Sequence, residues 1–164
     1  MEILSIALYT VGLLTMLAYC LYIGINYSIS VTFYDSPQRR DWIFIVTMII
    51  FSFSTGIASG IAGYYVLMAA AFCATGVAVG ANYTKRPGRM TPVKYAYSLH
   101  MIFAYACVLL GTLGVWVDLK YPIIAGVSLL IIAALYFRGG KNKTYWIEWY
   151  AIAVYTLLII YSAL

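Results

Sequence analysis

From Trp42 to Tyr83 the chain carries no charged residue, a run about twice the ~20 apolar residues that one bilayer crossing takes. Such a run folds back on itself as two helices. Gly60 and Gly63 weaken the helix near its centre, which puts the reversal between Ser59 and Gly63. Composition agrees with a bilayer as the solvent, since a 164-residue chain with 65% hydrophobic and only 9% charged residues cannot present a soluble surface.

Charged and polar breaks divide the remainder into runs of spanning length. Helices are expected over residues 3–25, 42–59, 64–83, 95–116, 121–137 and 145–164. The fifth is the shortest, and Pro122 suits its first turn. The expected fold is therefore all-α, a polytopic transmembrane bundle of six spans in one domain, or of five if the hairpin is re-entrant. Met1-Glu2 supplies no basic n-region, and no small-residue cleavage site follows the first apolar run, so that run reads as a retained helix rather than a signal peptide.

Lys and Arg in short loops stay on the cytoplasmic side. Arg39 and Arg40 lie in loop 1, Lys85, Arg86, Arg89 and Lys94 in loop 3, and Arg138, Lys141 and Lys143 in loop 5, with Lys120 alone on the opposite side. That split puts loops 1, 3 and 5 inside and both termini outside, as for a multi-pass protein of a bacterial inner membrane. Sequons at Asn26, Asn82 and Asn142 fall on the same basic side and read as coincidence.

Several features need only packing to explain them. Gly56 with Gly60, and Gly76 with Gly80, are small-xxx-small pairs that bring helix backbones together; contact within the bundle is the first reading, and a homo-oligomer through the same glycines the second. Cys20, Cys73 and Cys107 sit in apolar runs without metal-ligand spacing and read as small hydrophobes. Tyrosines and tryptophans toward the helix ends form an interfacial belt.

The remaining polar residues gather at one end. His100 is six residues past Lys94, about 9 Å into its helix, and Glu148 is five residues past Lys143. An ionisable group within a span marks a partner or a polar cavity by default, against the plainer readings of interfacial snorkelling for Glu148 and an interhelical hydrogen bond for His100. Loop 1 alternates Ser28, Ser30 and Thr32 with Ile29, Val31 and Phe33, so an extended strand places the hydroxyls on one face. A hydroxyl strip of this kind suits a lid over a site shared with His100 and Glu148.

Three short motifs carry a resemblance: "SISVTFYDSPQRRDWIF" after the first helix, "YSLHMIFAYA" in the fourth and "YWIEWYAI" opening the sixth. Together they resemble uncharacterised small six-helix membrane proteins of gut bacteria and their phages. More distantly they are similar to the membrane family of GPI-anchor remodelling proteins and damage-regulated autophagy modulators. The resemblance singles out Ser28, Ser30, Tyr34, His100 and Glu148. Tyr27 stands where that family has a proline before the serines, and its members place this loop outside the membrane.

Binding is the expected function. The site would take a lipid or another amphipathic ligand at the basic face, with Ser28, Ser30, Tyr34, Arg86, Arg89, His100 and Glu148 as ligand residues and membrane lipids, anionic ones included, as partners. Juxtamembrane cations attract anionic headgroups by about 1 kcal/mol each. The alternatives are a membrane-embedded lipid-modifying hydrolase, with His100 and Glu148 serving a Ser28 nucleophile, and a channel or transport accessory subunit. Catalytic zinc takes three protein ligands plus water, and one histidine with Glu148, Asp35 or Asp41 falls short of that set. Neither metal nor cofactor is expected, nor a nucleic-acid partner.

Overall fold

The computed structural model describes residues 2–24, 41–84, 94–138 and 140–163, and all of its regular structure is helical. Six α-helices form: α1 (Glu2–Ile23), α2 (Asp41–Ala62), α3 (Tyr65–Thr84), α4 (Lys94–Val117), α5 (Pro122–Arg138) and α6 (Lys143–Ala163), the last entered through a 3₁₀ turn at Gly140–Asn142. Three of them are long and apolar enough to cross a membrane, over Ile3–Ile23, Trp42–Ala62 and Leu99–Val117, while Tyr65–Val79 and Pro122–Arg138 are shorter apolar helices. The first half of α6 is the least oily, because Lys143, Thr144 and Glu148 interrupt its aromatic residues.

Local backbone rules set the reversals. The α2–α3 turn is a Schellman motif: Gly63 is left-handed at φ 81°, the Tyr64 amide donates to Ser59 O at 2.8 Å and the Gly63 amide to Gly60 O at 3.2 Å. That motif carries α2 to Ala62, past the expected end at residue 59, because it caps the last carbonyls one turn later. Between α4 and α5 the left-handed residue is Lys120, at φ 60°, and Pro122 then opens α5.

Each helix packs on its chain neighbour, α6 closes on α1 and α4, and the α3–α4 pair is the most intimate. Small residues make that closeness possible. A Cβ on Gly12 would stand 2.7 Å from Ser54 Oγ, one on Gly56 3.0 Å from the Phe72 ring, one on Gly60 3.1 Å from Met68 Sδ, and one on Gly76 2.4 Å from the Phe103 ring. Gly56, Gly60 and Gly76 therefore face neighbours within the chain; the surroundings of Gly80 lie outside the described residues. By contrast α5 buries only Ala125 and Ser128, and its Ile123 and Phe137 are more than four-fifths exposed.

Buried polar groups tie the helices across the apolar interior. The Tyr9 hydroxyl donates to Ser59 Oγ at 2.8 Å, while Ser59 donates back to Thr55 O at 2.8 Å. Ser52 Oγ reaches Ala71 O and Thr75 Oγ1, both at 2.6 Å, and Thr112 pairs with the Tyr155 hydroxyl. Exchanges of this kind average about 0.6 kcal/mol in membranes. Since Ser59 keeps its bond to Thr55, Tyr9→Phe leaves no stranded donor, and chemical unfolding in detergent is expected to register a loss of only about 0.5–1 kcal/mol.

Candidate functional site

The antiparallel helix pairs bring the C-termini of α1, α3 and α5 to the same end as the N-termini of α2, α4 and α6, where Lys94, Arg138 and Lys143 are the basic residues of the described helix ends. Glu148 projects from this end of α6 into the bundle. It shares a face with Ala151, Ile152 and Tyr155, the i, i+3, i+4 and i+7 positions of one helical stripe. Against that stripe stand Phe44, Met48 and Phe51 of α2, Ala74 and Val77 of α3, and Ala104, Cys107 and Val108 of α4.

Glu148 and these residues enclose a cavity of about 70 Å³, and Glu148 is the one carboxylate in its wall. An ionisable group at a wall so apolar is a candidate functional group by its position.

His100 is placed differently. It is 3% exposed, and its Nδ1 lies 3.0 Å from Val77 O. A carbonyl only accepts, so Nδ1 carries the hydrogen and Nε2 is the ring's basic nitrogen. His100 is not in the cavity wall; its link to Glu148 runs through Val77, whose residue lines the cavity. Ser28, Ser30, Tyr34, Arg86 and Arg89, like Asp35 and the side chain of Asp41, lie outside the described residues.

A second cavity, also about 70 Å³, adjoins the first on the side of Thr55, Ser59 and Tyr155. The two share Phe51, Cys107, Ala151 and Ile152. The second wall is richer in hydroxyls, with Thr55, Ser59, Tyr155 and Thr156 among its residues. Thr156 is 3% exposed, and its hydroxyl has no hydrogen-bond partner among the described residues. Leu67 also lines this cavity, and its amide donates to Asp118 Oδ2 at 2.8 Å.

Sequence reasoning passed over Thr156, Ser59, Tyr155 and Asp118. Their one local signal was polarity inside an apolar run, with Ser52, Thr55 and Ser59 repeating at three- and four-residue intervals on α2. Among the described residues no three of His, Cys, Asp and Glu gather to hold a metal, and Cys20, Cys73 and Cys107 are free thiols.

No family model, curated protein or solved structure matches this chain. The resemblance noted above thus rests on its short motifs alone, and the functional argument rests on the geometry of the bundle.

Proposed function

We propose that this chain is a six-span protein of a bacterial inner membrane, with both termini on the non-cytoplasmic side, that binds a lipid or another amphipathic ligand at its basic face. The observation that carries this reading is Glu148, a lone carboxylate in the wall of an otherwise apolar cavity near the basic helix ends. Nine cations near that face against Lys120 on the other support the orientation.

The cavity's size limits what enters it. About 70 Å³ admits the end of a headgroup beside the carboxylate rather than a whole lipid. Glu148 would then accept a hydrogen bond from that terminal group, strengthened by charge if it is an ammonium. The cations of loop 3, Arg86 and Arg89 among them, would add attraction for an anionic headgroup. His100, which holds the Val77 carbonyl, is a positioning residue here rather than a catalytic one.

Native mass spectrometry of gently extracted protein tests the proposal. Wild type is expected to retain a lipid mass, and Glu148→Gln to lower its occupancy about tenfold, the effect of losing one charge-assisted bond of ~1.5 kcal/mol. His100→Ala, if folded, should weaken retention less. A retained lipid indifferent to Glu148→Gln, or no retained lipid, would reduce Glu148 to a packing group.

A further inference from the structure

The two cavities and the groups at their ends have a use that lipid binding leaves out. Phe51, Cys107, Ala151 and Ile152 line both cavities, so the two adjoin across this one apolar layer of the bundle. Glu148 stands in the first chamber. In the second, Thr156 is buried, and its hydroxyl, which has no partner among the described residues, shares the wall with Thr55, Ser59 and Tyr155. A buried hydroxyl without a partner among the described residues, in a largely apolar chamber of about 70 Å³ whose wall carries three further hydroxyl residues, calls for an ordered water at those hydroxyls. Beyond it the Asp118 carboxylate holds the Leu67 amide at the chamber's far wall.

We infer that the two adjoining cavities are a proton path through the bundle, with Glu148 as its carboxyl relay, a gate at Phe51, Cys107, Ala151 and Ile152, and a hydrated hydroxyl chamber leading toward Asp118. A proton arriving from the basic face adds to the Glu148 carboxylate, and the resulting acid passes its proton to water when the gate is wet. The carboxylate is thereby restored, and the proton moves on along water and the hydroxyls of Thr156, Thr55 and Ser59. No other atom needs to travel. Chambers of this size, joined by an apolar neck, exclude hydrated metal cations, whereas an apolar neck that wets and dries is a known way to gate a pore. Intramembrane acids in such positions are the usual elements of proton relays.

Vesicles separate this inference from lipid binding. The full chain is reconstituted into phosphatidylcholine vesicles loaded with a pH-sensitive dye, and a potassium diffusion potential set by valinomycin drives protons inward. Wild type is expected to acidify the lumen faster than protein-free vesicles, and Phe51→Ala, which widens the neck, to raise the rate about tenfold. Glu148→Gln should return both backgrounds to the protein-free rate, and Thr156→Val should slow both. Ile152→Ala serves as the second neck variant if Phe51→Ala fails to insert. Inserted, helical neck variants that acidify no faster than empty vesicles would overturn the inference. So would flux that survives Glu148→Gln, or a pathway that passes sodium as readily. Lipid retention by mass spectrometry is read independently, so either idea can fail alone.

Discussion

Gly114→Val is expected to destabilise the bundle by about 3 kcal/mol, the upper range for overpacking a close contact. A Cβ at Gly114 would stand 2.6 Å from Leu67 Cδ2 and 3.1 Å from Leu67 N. The side-chain clash has some room to relax, but the backbone one does not: the Leu67 amide is anchored to Asp118 at 2.8 Å and lies in the first turn of α3. Either α3 moves away from α4, opening the most intimate pair in the fold, or the Asp118 bond breaks. Gly126, with nothing within 4 Å of its added Cβ, is the internal control, and Gly126→Ala should be neutral or stabilising by up to about 1 kcal/mol through helix propensity. Unfolding of both variants in detergent, followed by circular dichroism, checks the pair. Equal stability of Gly114→Val and wild type would place α3 farther from α4 than described.

Asp118→Ala is the second large effect, with an expected loss of about 2 kcal/mol. Leu67 is the third residue of α3, where an amide has no acceptor within its own helix. Asp118 supplies that acceptor from the end of α4, so it caps a helix 51 residues away in sequence. Loss of a cap costs about 0.5–2 kcal/mol, and a part-buried donor left unmatched puts this position at the high end. Asp118→Asn keeps a carbonyl acceptor and should recover more than half of the loss. If alanine and asparagine destabilise equally in the same unfolding assay, the charge rather than the cap holds α3.

The contrast between Gly63 and Asp118 shows what could be read from the sequence. Gly63 and Pro122 act on the backbone within a few residues, so the α2–α3 reversal and the start of α5 were legible from local rules. The helix count followed from where charges interrupt apolar runs. Nothing local marks Asp118 as a cap, because its partner Leu67 is brought to it only by the packing of α3 on α4.

The cavity was hidden for a related reason. Glu148 could be recognised as an acid in a span, but helices apolar on nearly every side give no phase from which to tell whether the stripe of residues 148, 151 and 155 faces the interior or the outside. Thr156 and Ser59 were likewise lost among hydroxyls that a lipid-facing helix can satisfy on its own carbonyls, as Thr15 does with Val11 O at 2.7 Å. Small-residue pairs such as Gly56 with Gly60 announced a close contact without naming the partner, which proved to be Phe72 and Met68 of α3. The lid read from Ser28 and Ser30 lies outside the described residues.

The central claim, that the Glu148 carboxyl group faces an apolar chamber inside the bundle, is tested most directly by carbodiimide labelling. Folded protein in detergent is treated in parallel with a lipophilic carbodiimide and a charged, water-soluble one, and the modified residues are mapped by mass spectrometry. The account predicts modification of Glu148 by the lipophilic reagent only, with Glu148→Gln losing that label. Labelling of Glu148 by the water-soluble reagent, or by neither, would contradict it, since the carboxyl group would then stand in solvent or be sealed in packing.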